Sequence, residues 1–406
     1  MKKICLIPSF MLPIPNVKGG AIETLITNLI DENETKKKFY FTIVCMYDKK
    51  AKEISKKYKY TKFIFLKRDI IDFVRRALRK ILNCKPIPYL TYKACWKIRK
   101  EKFDYIIVEG GMYESFKILL KKYRKNQLIA HIHHHMLANK NIDDIYGNII
   151  AISEFVKKEW IRTSDNKETN RIKLLLNSID QKKFDKDITD EEKNLIRSKY
   201  NISKNDFVVM FCGRIIEVKG LHKLIEAVKQ INQNDIKLLI IGSPNFAIKS
   251  KSKYLQEIKQ SIKGQEDKIK FSGYIDNEQL YKYYKCSDVL VVPSLWEEAA
   301  GLVCIEGMLT KTPLIVSNSG GMIEYVNSDC AIIVNRDKEM VKNLAKAILK
   351  LKNNKDLYNS MKVKGYKRAQ KFTKNIYYDN FNKLIDQINN ESEREDEMHE
   401  KENSST

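Results

Sequence analysis

Short apolar runs alternate along the chain with longer segments in which apolar residues recur every three or four positions. KICLIP reads as a buried strand, AIETLITNLIDEN as an amphipathic helix and FYFTIVCMY as a second strand. KFIFLK, DYIIVEG, QLIAHIHHH and NIIAIS continue the strand series, with helical stretches between them. Strands apolar on both faces and separated by helices predict βαβ units in a parallel sheet covered on both sides. After Asn177 the stretch SIDQKKFDKDITDEEK turns polar and reads as a linker. The alternation then restarts with DFVVMFCGR and runs through KLLIIGS, IKFSGYI, DVLVVPS, PLIVSNSGG and CAIIV, before three helical stretches from Asp337 to about Asn390. The pattern predicts an α/β chain of two doubly wound, Rossmann-like parallel-sheet domains facing a central cleft, with a helical C-terminus. Residues 1–180 form the first domain and 181–370 the second. A C-terminal helix over 371–390 is a candidate to pack back on the first domain, and the acidic tail 391–406 is expected to be disordered and solubilising.

Composition narrows the class. Of 406 residues, 43% are hydrophobic and 10% aromatic, enough for two or three real cores and too many for a mainly disordered chain. No run approaches the ~20 apolar residues of a spanning helix. Pro8, Pro13 and Pro15 interrupt the apolar start, and no small-residue cleavage site follows, so the start reads as a strand rather than a signal peptide. Eight cysteines show no CxxC spacing and sit mostly in strand-like runs, which fits reduced thiols and a cytoplasmic location.

The net charge of +24 is unevenly spread. Lys67 to Lys125 holds 17 basic residues against 6 acidic ones, a net +11. IIDFVRRALRKIL and ESFKILLKKYRK mix cations with apolar residues at helical spacing, including Arg75, Arg76, Arg79 and Lys80. Such faces suit an anionic membrane surface, each cation contributing on the order of 1 kcal/mol, or they are simply solvated. Nucleic acid is not expected, since no RNA-binding, zinc-finger or basic-zipper pattern is present.

The densest chemistry lies in PSLWEEAAGLVCIEGM, residues 293–308. A helix starting near Ala300 would leave the N–H groups of Ala300, Gly301 and Leu302 free at a positive dipole end, a cradle for hydroxyls or phosphate. Glu306, within that helix, suits the two hydroxyls of a ribose. Arg214 and Lys219 follow a strand and flank glycines, where a fork and a compact charge can converge on a diphosphate. Gly19 and Gly20 allow a backbone to approach a ligand ahead of a helix N-terminus, and the absence of GxGxxG argues against a nicotinamide site. His131, His133, His134 and His135 crowd one strand end. Only alternate residues of a strand share a face, and no further Cys, Asp or Glu cluster lies nearby in the sequence, so a metal is not expected there. Asp185-Lys186-Asp187 sits in the linker and reads as solvated.

Taken in order, these motifs resemble the retaining family 4 glycosyltransferases of GT-B fold. The resemblance rests on Gly19-Gly20-Ala21-Ile22-Glu23, Ser153-Glu154, Asn177-Ser178-Ile179-Asp180, Phe211-Cys212-Gly213-Arg214 with Lys219-Gly220, and Gly242-Ser243-Pro244. Gly273-Tyr274-Ile275, the E-x7-E pair Glu298 and Glu306, and Gly320-Gly321-Met322-Ile323-Glu324 complete it. It implies an N-terminal acceptor domain and a C-terminal nucleotide-sugar domain. It gives catalytic roles to His133 (or its neighbour His134), Glu298, Arg214 and Lys219, with Glu297 a rival to Glu298. It further implies donor contacts from Gly19, Gly20, Gly242, Ile275, Ala300, Gly301, Leu302 and Glu306. Ala299-Ala300 replaces the Pro-Phe of many relatives, which leaves the donor sugar open. The resemblance implies no cofactor and no metal, the nucleotide-sugar being substrate. The expected enzyme transfers a sugar, UDP-linked before GDP-linked, to a lipid-linked glycan in capsule, exopolysaccharide or lipopolysaccharide synthesis, peripheral to the inner face of the cell membrane. The rivals are another GT-B enzyme, such as a nucleotide-sugar epimerase or a phosphorylase, and a non-catalytic basic anion-binding protein.

Overall fold

The buried apolar runs pair side by side, all in parallel, into two separate sheets. The computed structural model describes residues 1–72, 74, 89–165, 168–244 and 252–404. Two units divide the chain: Met1–Asn177 with Lys374–Thr406, and Ser178–Thr373. The division falls three residues before the expected 180/181 boundary.

In the first unit, β1 (Lys2–Pro8), β2 (Phe39–Met46), β3 (Thr61–Leu66), β4 (Tyr105–Glu109), β5 (Leu128–Ile132), β6 (Asn148–Ala151) and β7 (Ile172–Leu174) lie in the order β3-β2-β1-β4-β5-β6-β7. The order reverses between β1 and β4, so this is the topological switch point. β1 is buried along Cys5, Leu6 and Ile7 because helices cover both faces. One of them, Ala21–Lys36, buries Leu25, Ile26, Leu29 and Ile30.

The C-terminal helix belongs to this unit. It runs over Lys374–Ser404, and Tyr378, Phe381, Ile385 and Ile388 repeat every three or four residues on the face packed into the first core. Phe381 meets Phe39 edge-on at 5.6 Å, and the Tyr378 hydroxyl donates to Asn33 Oδ1 at 2.7 Å. The expectation of a disordered tail from 391 is therefore corrected as far as Ser404. Helix-favouring Glu, Lys and Arg carry the helix on with no Gly or Pro. Gln387–Glu391 and Asn389–Glu393 bonds bridge successive turns, and Glu391 reaches back to the buried Lys173 ammonium at 2.6 Å.

Two local expectations also change. ESFKILLKKYRK forms a 3-10 helix, Tyr113–Lys121, rather than an α-helix, burying Tyr113, Phe116 and Leu119 at the three-residue period of that helix. IIDFVRRALRKIL lies largely outside the described residues, its cluster Arg75, Arg76, Arg79 and Lys80 included.

The second unit opens with helices where a plain linker was expected. Asp180 caps Gln181–Phe184, and Thr189 with Glu192 forms a capping box on Asp190–Lys199. Its strands, β8 (Phe207–Cys212), β9 (Ile236–Ile241), β10 (Ile269–Gly273), β11 (Val289–Val292), β12 (Leu314–Ser317) and β13 (Ala331–Val334), lie in the order β10-β9-β8-β11-β12-β13. The switch point here is between β8 and β11. Val209, Leu238, Val291 and Ile315 form its core with Leu224 and Val228 of helix Leu221–Gln230 and Leu344 and Ile348 of helix Met340–Asn353.

Candidate active site

In the second unit the predicted residues gather at the C-terminal ends of β8, β9, β11 and β12, the edge where doubly wound sheets bind ligands. Two glycines let the backbone close there. A Cβ at Gly220, with φ +70°, would fall 1.9 Å from the Pro293 carbonyl oxygen, and one at Gly242 would fall 1.9 Å from that of Gly213. The β8 turn thus locks onto the segment after β11 and onto the end of β9.

Lys219 is delivered by that turn. Its ammonium donates to Glu298 Oε1 at 2.6 Å and lies 5.3 Å from the Trp296 ring centre. The same carboxylate oxygen accepts from the Ser294 hydroxyl, and the Glu298 backbone is held by Ser319 Oγ at 3.0 Å and Gly321 N at 2.6 Å. Glu298 is 8% exposed. Its rival Glu297 is committed elsewhere, to the Arg336 guanidinium. Sequence reasoning pictured Lys219 as a cation waiting for phosphate, whereas here it pairs with Glu298. Two of its three N–H donors remain. Arg214, half-buried after β8, has no hydrogen-bond or ion-pair partner among the described residues. A fork of N–H donors without a partner is suited to a phosphate or carboxylate.

The helix expected from Ala300 begins at Leu302 and ends at Leu309, with Gly301 as its N-cap. A Cβ on Gly301 would press on Met322. Cys304 N already donates to Gly301 O at 2.9 Å, while the N–H groups of Leu302 and Val303 have no acceptors within the helix and form its positive end, with Ala300 and Gly301 just before it. Glu306 lies one turn in. It accepts from the Tyr284 hydroxyl at 2.7 Å through Oε2, which leaves Oε1 for a ligand. Burial pushes the Glu306 carboxyl up to about 7, against the Tyr284 bond that lowers it. Tyr284 is a partner that sequence spacing did not reveal, because it comes from helix Asn277–Lys285, on the far side of β11 in the chain. Ile275 lies half-buried after β10 and just before that helix. Asp185 and Asp187 are exposed, the first accepting from Tyr366 and the second pairing with Lys285.

Gly19, Gly20 and His133 belong to the first unit, again at C-terminal strand ends beside a switch point. Gly20 is the N-cap of helix Ala21–Lys36 with φ +102°, and a Cβ there would lie 2.1 Å from Glu23 Oε2. The helix start therefore carries a buried carboxyl of its own, raised by burial. Ser153, part of the resemblance, caps helix Glu154–Thr163 by accepting from Val156 N.

His133 Nε2 lies 2.7 Å from Glu109 Oε2, and His131 Nδ1 is 2.7 Å from the same oxygen. Alternate strand positions do converge, and His134 and His135 are exposed. Glu109 was missed. It ends β4, 22 residues before His131, and only the β4–β5 register, Val108 beside Ala130, sets it opposite the histidines. Burial would raise the Glu109 carboxyl, but the two imidazoles outweigh it and hold it at about 2. Burial and the neighbouring His131 hold His133 at about 4, so it is a neutral ring at physiological pH.

Residues 192–368 match the family described as Glycosyl transferases group 1. The putative glycosyltransferase YtcC of Bacillus subtilis (strain 168) is 24% identical over 383 residues, 91% of this chain and 88% of its own. The capsular polysaccharide biosynthesis glycosyltransferase CapM of Staphylococcus aureus is 32% identical over 262 residues, 61% of this chain and 63% of its own. In three dimensions the chain is similar to Anabaena HepE, solved in complex with UDP-glucose. The TM-score is 0.72 at 17% identity, covering 95% of this chain and 100% of that one. With the motif order, two doubly wound parallel sheets and this match in hand, residues 192–368 are similar to the group 1 glycosyltransferases, and the chain has the GT-B fold.

Proposed function

We propose that the protein is a retaining glycosyltransferase that moves a sugar from a UDP-sugar to a membrane-linked glycan acceptor. The observation that carries the reading is the arrangement at the β8/β11 edge: an Arg214 without a partner among the described residues, a Lys219–Glu298 pair and a half-committed Glu306 around one helix N-terminus. In this reading Oε1 of Glu306 accepts a ribose hydroxyl. Arg214 and the spare donors of Lys219 neutralise the diphosphate as it leaves, the work otherwise given to a metal. Glu298 and the N–H groups around Gly301 hold the donor sugar. The acceptor hydroxyl attacks the face the diphosphate leaves, and the departing phosphate takes the proton. Anomeric NMR should then show a product of unchanged configuration.

UDP is favoured because HepE was solved with UDP-glucose, and a surface-glycan acceptor because CapM acts in capsular polysaccharide biosynthesis. The membrane part of the reading is supported by a basic face with aromatic edges. Trp96 is 55% exposed with the Arg99 guanidinium 3.8 Å from its ring centre and Lys97 beside it. No helix among the described residues is long and apolar enough to cross a membrane.

A panel of UDP-, GDP- and ADP-sugars with a lipid-linked oligosaccharide acceptor tests the reading. Transfer should occur with a UDP-sugar, and UDP at a hundred times its Kd should stabilise the fold by about 2.7 kcal/mol. Neither transfer nor stabilisation by any nucleotide would refute it. Flotation with anionic vesicles tests the membrane face. Unchanged flotation after Trp96→Ala with Lys97→Glu and Arg99→Glu would remove it.

A further inference from the structure

We propose that Glu109, His131 and His133 form a binding site for one divalent transition-metal cation of the zinc class. The proposal stands apart from the donor reading, since the site lies in the first unit and metal binding is read without any nucleotide. Two imidazole nitrogens and a carboxylate oxygen lie within 4.8 Å of one another at the ends of β4 and β5. The three side chains are 3%, 1% and 6% exposed respectively.

The second observation is the state of His131. Its Nδ1 lies 2.7 Å from Glu109 Oε2, yet neither of its ring nitrogens has an aligned hydrogen-bond partner among the described residues. Buried polar atoms are almost always satisfied, and a wholly buried imidazole with both nitrogens unsatisfied is costly. A cation bound in the plane of the ring would satisfy one of them. It would also compensate the buried carboxylate, which is otherwise crowded at a single oxygen by two rings whose centres are 4.0 Å apart.

The donor set selects the metal. Two imidazoles and one carboxylate suit zinc, cobalt, nickel or ferrous iron, whereas calcium and magnesium prefer all-oxygen cages. Bond lengths near 2.0–2.1 Å require the ligand atoms to open from their 2.7 Å contacts by about half an ångström. His131 is in β5, His133 lies two residues on, just past its end, and the carboxylate comes from the neighbouring strand β4, so a modest rotation of side chains supplies that opening. Three protein ligands leave a fourth position for water. A bound cation would tie the ends of β4 and β5 together and fix the His133 ring, with Nδ1 still free.

Full-length, untagged protein stripped of metal is titrated with Zn²⁺ by calorimetry and with Co²⁺ by visible absorption. One equivalent should bind, Co²⁺ should give the intense visible bands of a low-coordinate N/O site, and Zn²⁺ should raise the Tm. Glu109→Gln and His131→Ala should each weaken binding by at least about tenfold, the scale on which metal sites respond even to loss of a supporting group. His134→Ala, an exposed neighbour, should bind as the unaltered protein does. Should His131→Ala fail to fold, the near-isosteric Glu109→Gln carries the test. Absence of stoichiometric binding by the unaltered protein, or equal binding by Glu109→Gln, would overturn the proposal and leave only a buried carboxylate beside two imidazoles.

Discussion

Arg214 and Lys219 are both cations of the same turn, but their surroundings assign them different sensitivities. Arg214 has no hydrogen-bond or ion-pair partner among the described residues, so Arg214→Ala should leave stability within about 0.5 kcal/mol. Lys219→Ala strands the nearly buried Glu298 carboxylate with only the Ser294 hydroxyl and should cost about 1–3 kcal/mol. Both should lower transfer by at least about a hundredfold, the scale of losing one preorganised donor to developing charge. Thermal unfolding beside initial rates separates the two. Equal Tm losses would contradict the pairing, and full activity in both would contradict the phosphate role. At Glu306 the sign of the pH dependence follows from its carboxyl, raised from 4.5 to about 7 by burial. The neutral form's contribution to stability is complete below about 4.5 and is lost as pH rises through about 7. Ribose hydroxyls donate to the ionised form, so UDP binding should strengthen from about pH 6 to about pH 8. Glu306→Gln should flatten that rise, and an unchanged pH profile in the variant would separate Glu306 from the nucleotide.

Among elements, the strands and most helices were legible because periodicity is local. What stayed hidden was set by neighbours distant in sequence. Glu109 became visible only with the β4–β5 register, and Tyr284 only with the packing of helix Asn277–Lys285 beside Glu306. The glycines were legible as loop markers, but not the contacts that require them. Gly220 combines φ +70° with a Cβ position 1.9 Å from Pro293 O. Gly220→Ala should therefore cost about 2 kcal/mol or more through strain and backbone displacement, and should lower transfer by moving Lys219. A Tm unchanged from that of the parent protein would show that the turn yields more easily than its geometry implies. The basic helical segment around Arg75–Lys80 is an expectation outside the described residues. The polar linker after Asn177 was misread because its caps, Asp180 and Thr189, also resemble turn residues.

For the whole molecule, the chain's path matters as much as its elements. The last helix returns to the first unit, and its heptad-spaced Tyr378, Phe381, Ile385 and Ile388 complete that core. Amphipathic periodicity announced the helix, but composition alone could not tell an acidic tail from an acidic helix continuing through Glu391. Truncation after Thr373 should unfold the first unit while Ser178–Thr373 keeps its own core, giving a chain that retains only part of its cooperative transition in calorimetry. Phe381→Ala alone should cost about 3–5 kcal/mol. A truncated chain with an unaltered transition would show that the helix is dispensable.

The central claim is that the β8/β11 edge gathers one nucleoside diphosphate through Arg214, Lys219 and Glu306. Calorimetric titration of the full-length protein and Arg214→Ala with UDP tests it most directly. The account predicts a single site per chain, weakened at least about tenfold in the variant, the scale of one charge-assisted bond. UDP affinity that is unchanged in Arg214→Ala, or absent from the parent protein, would contradict it.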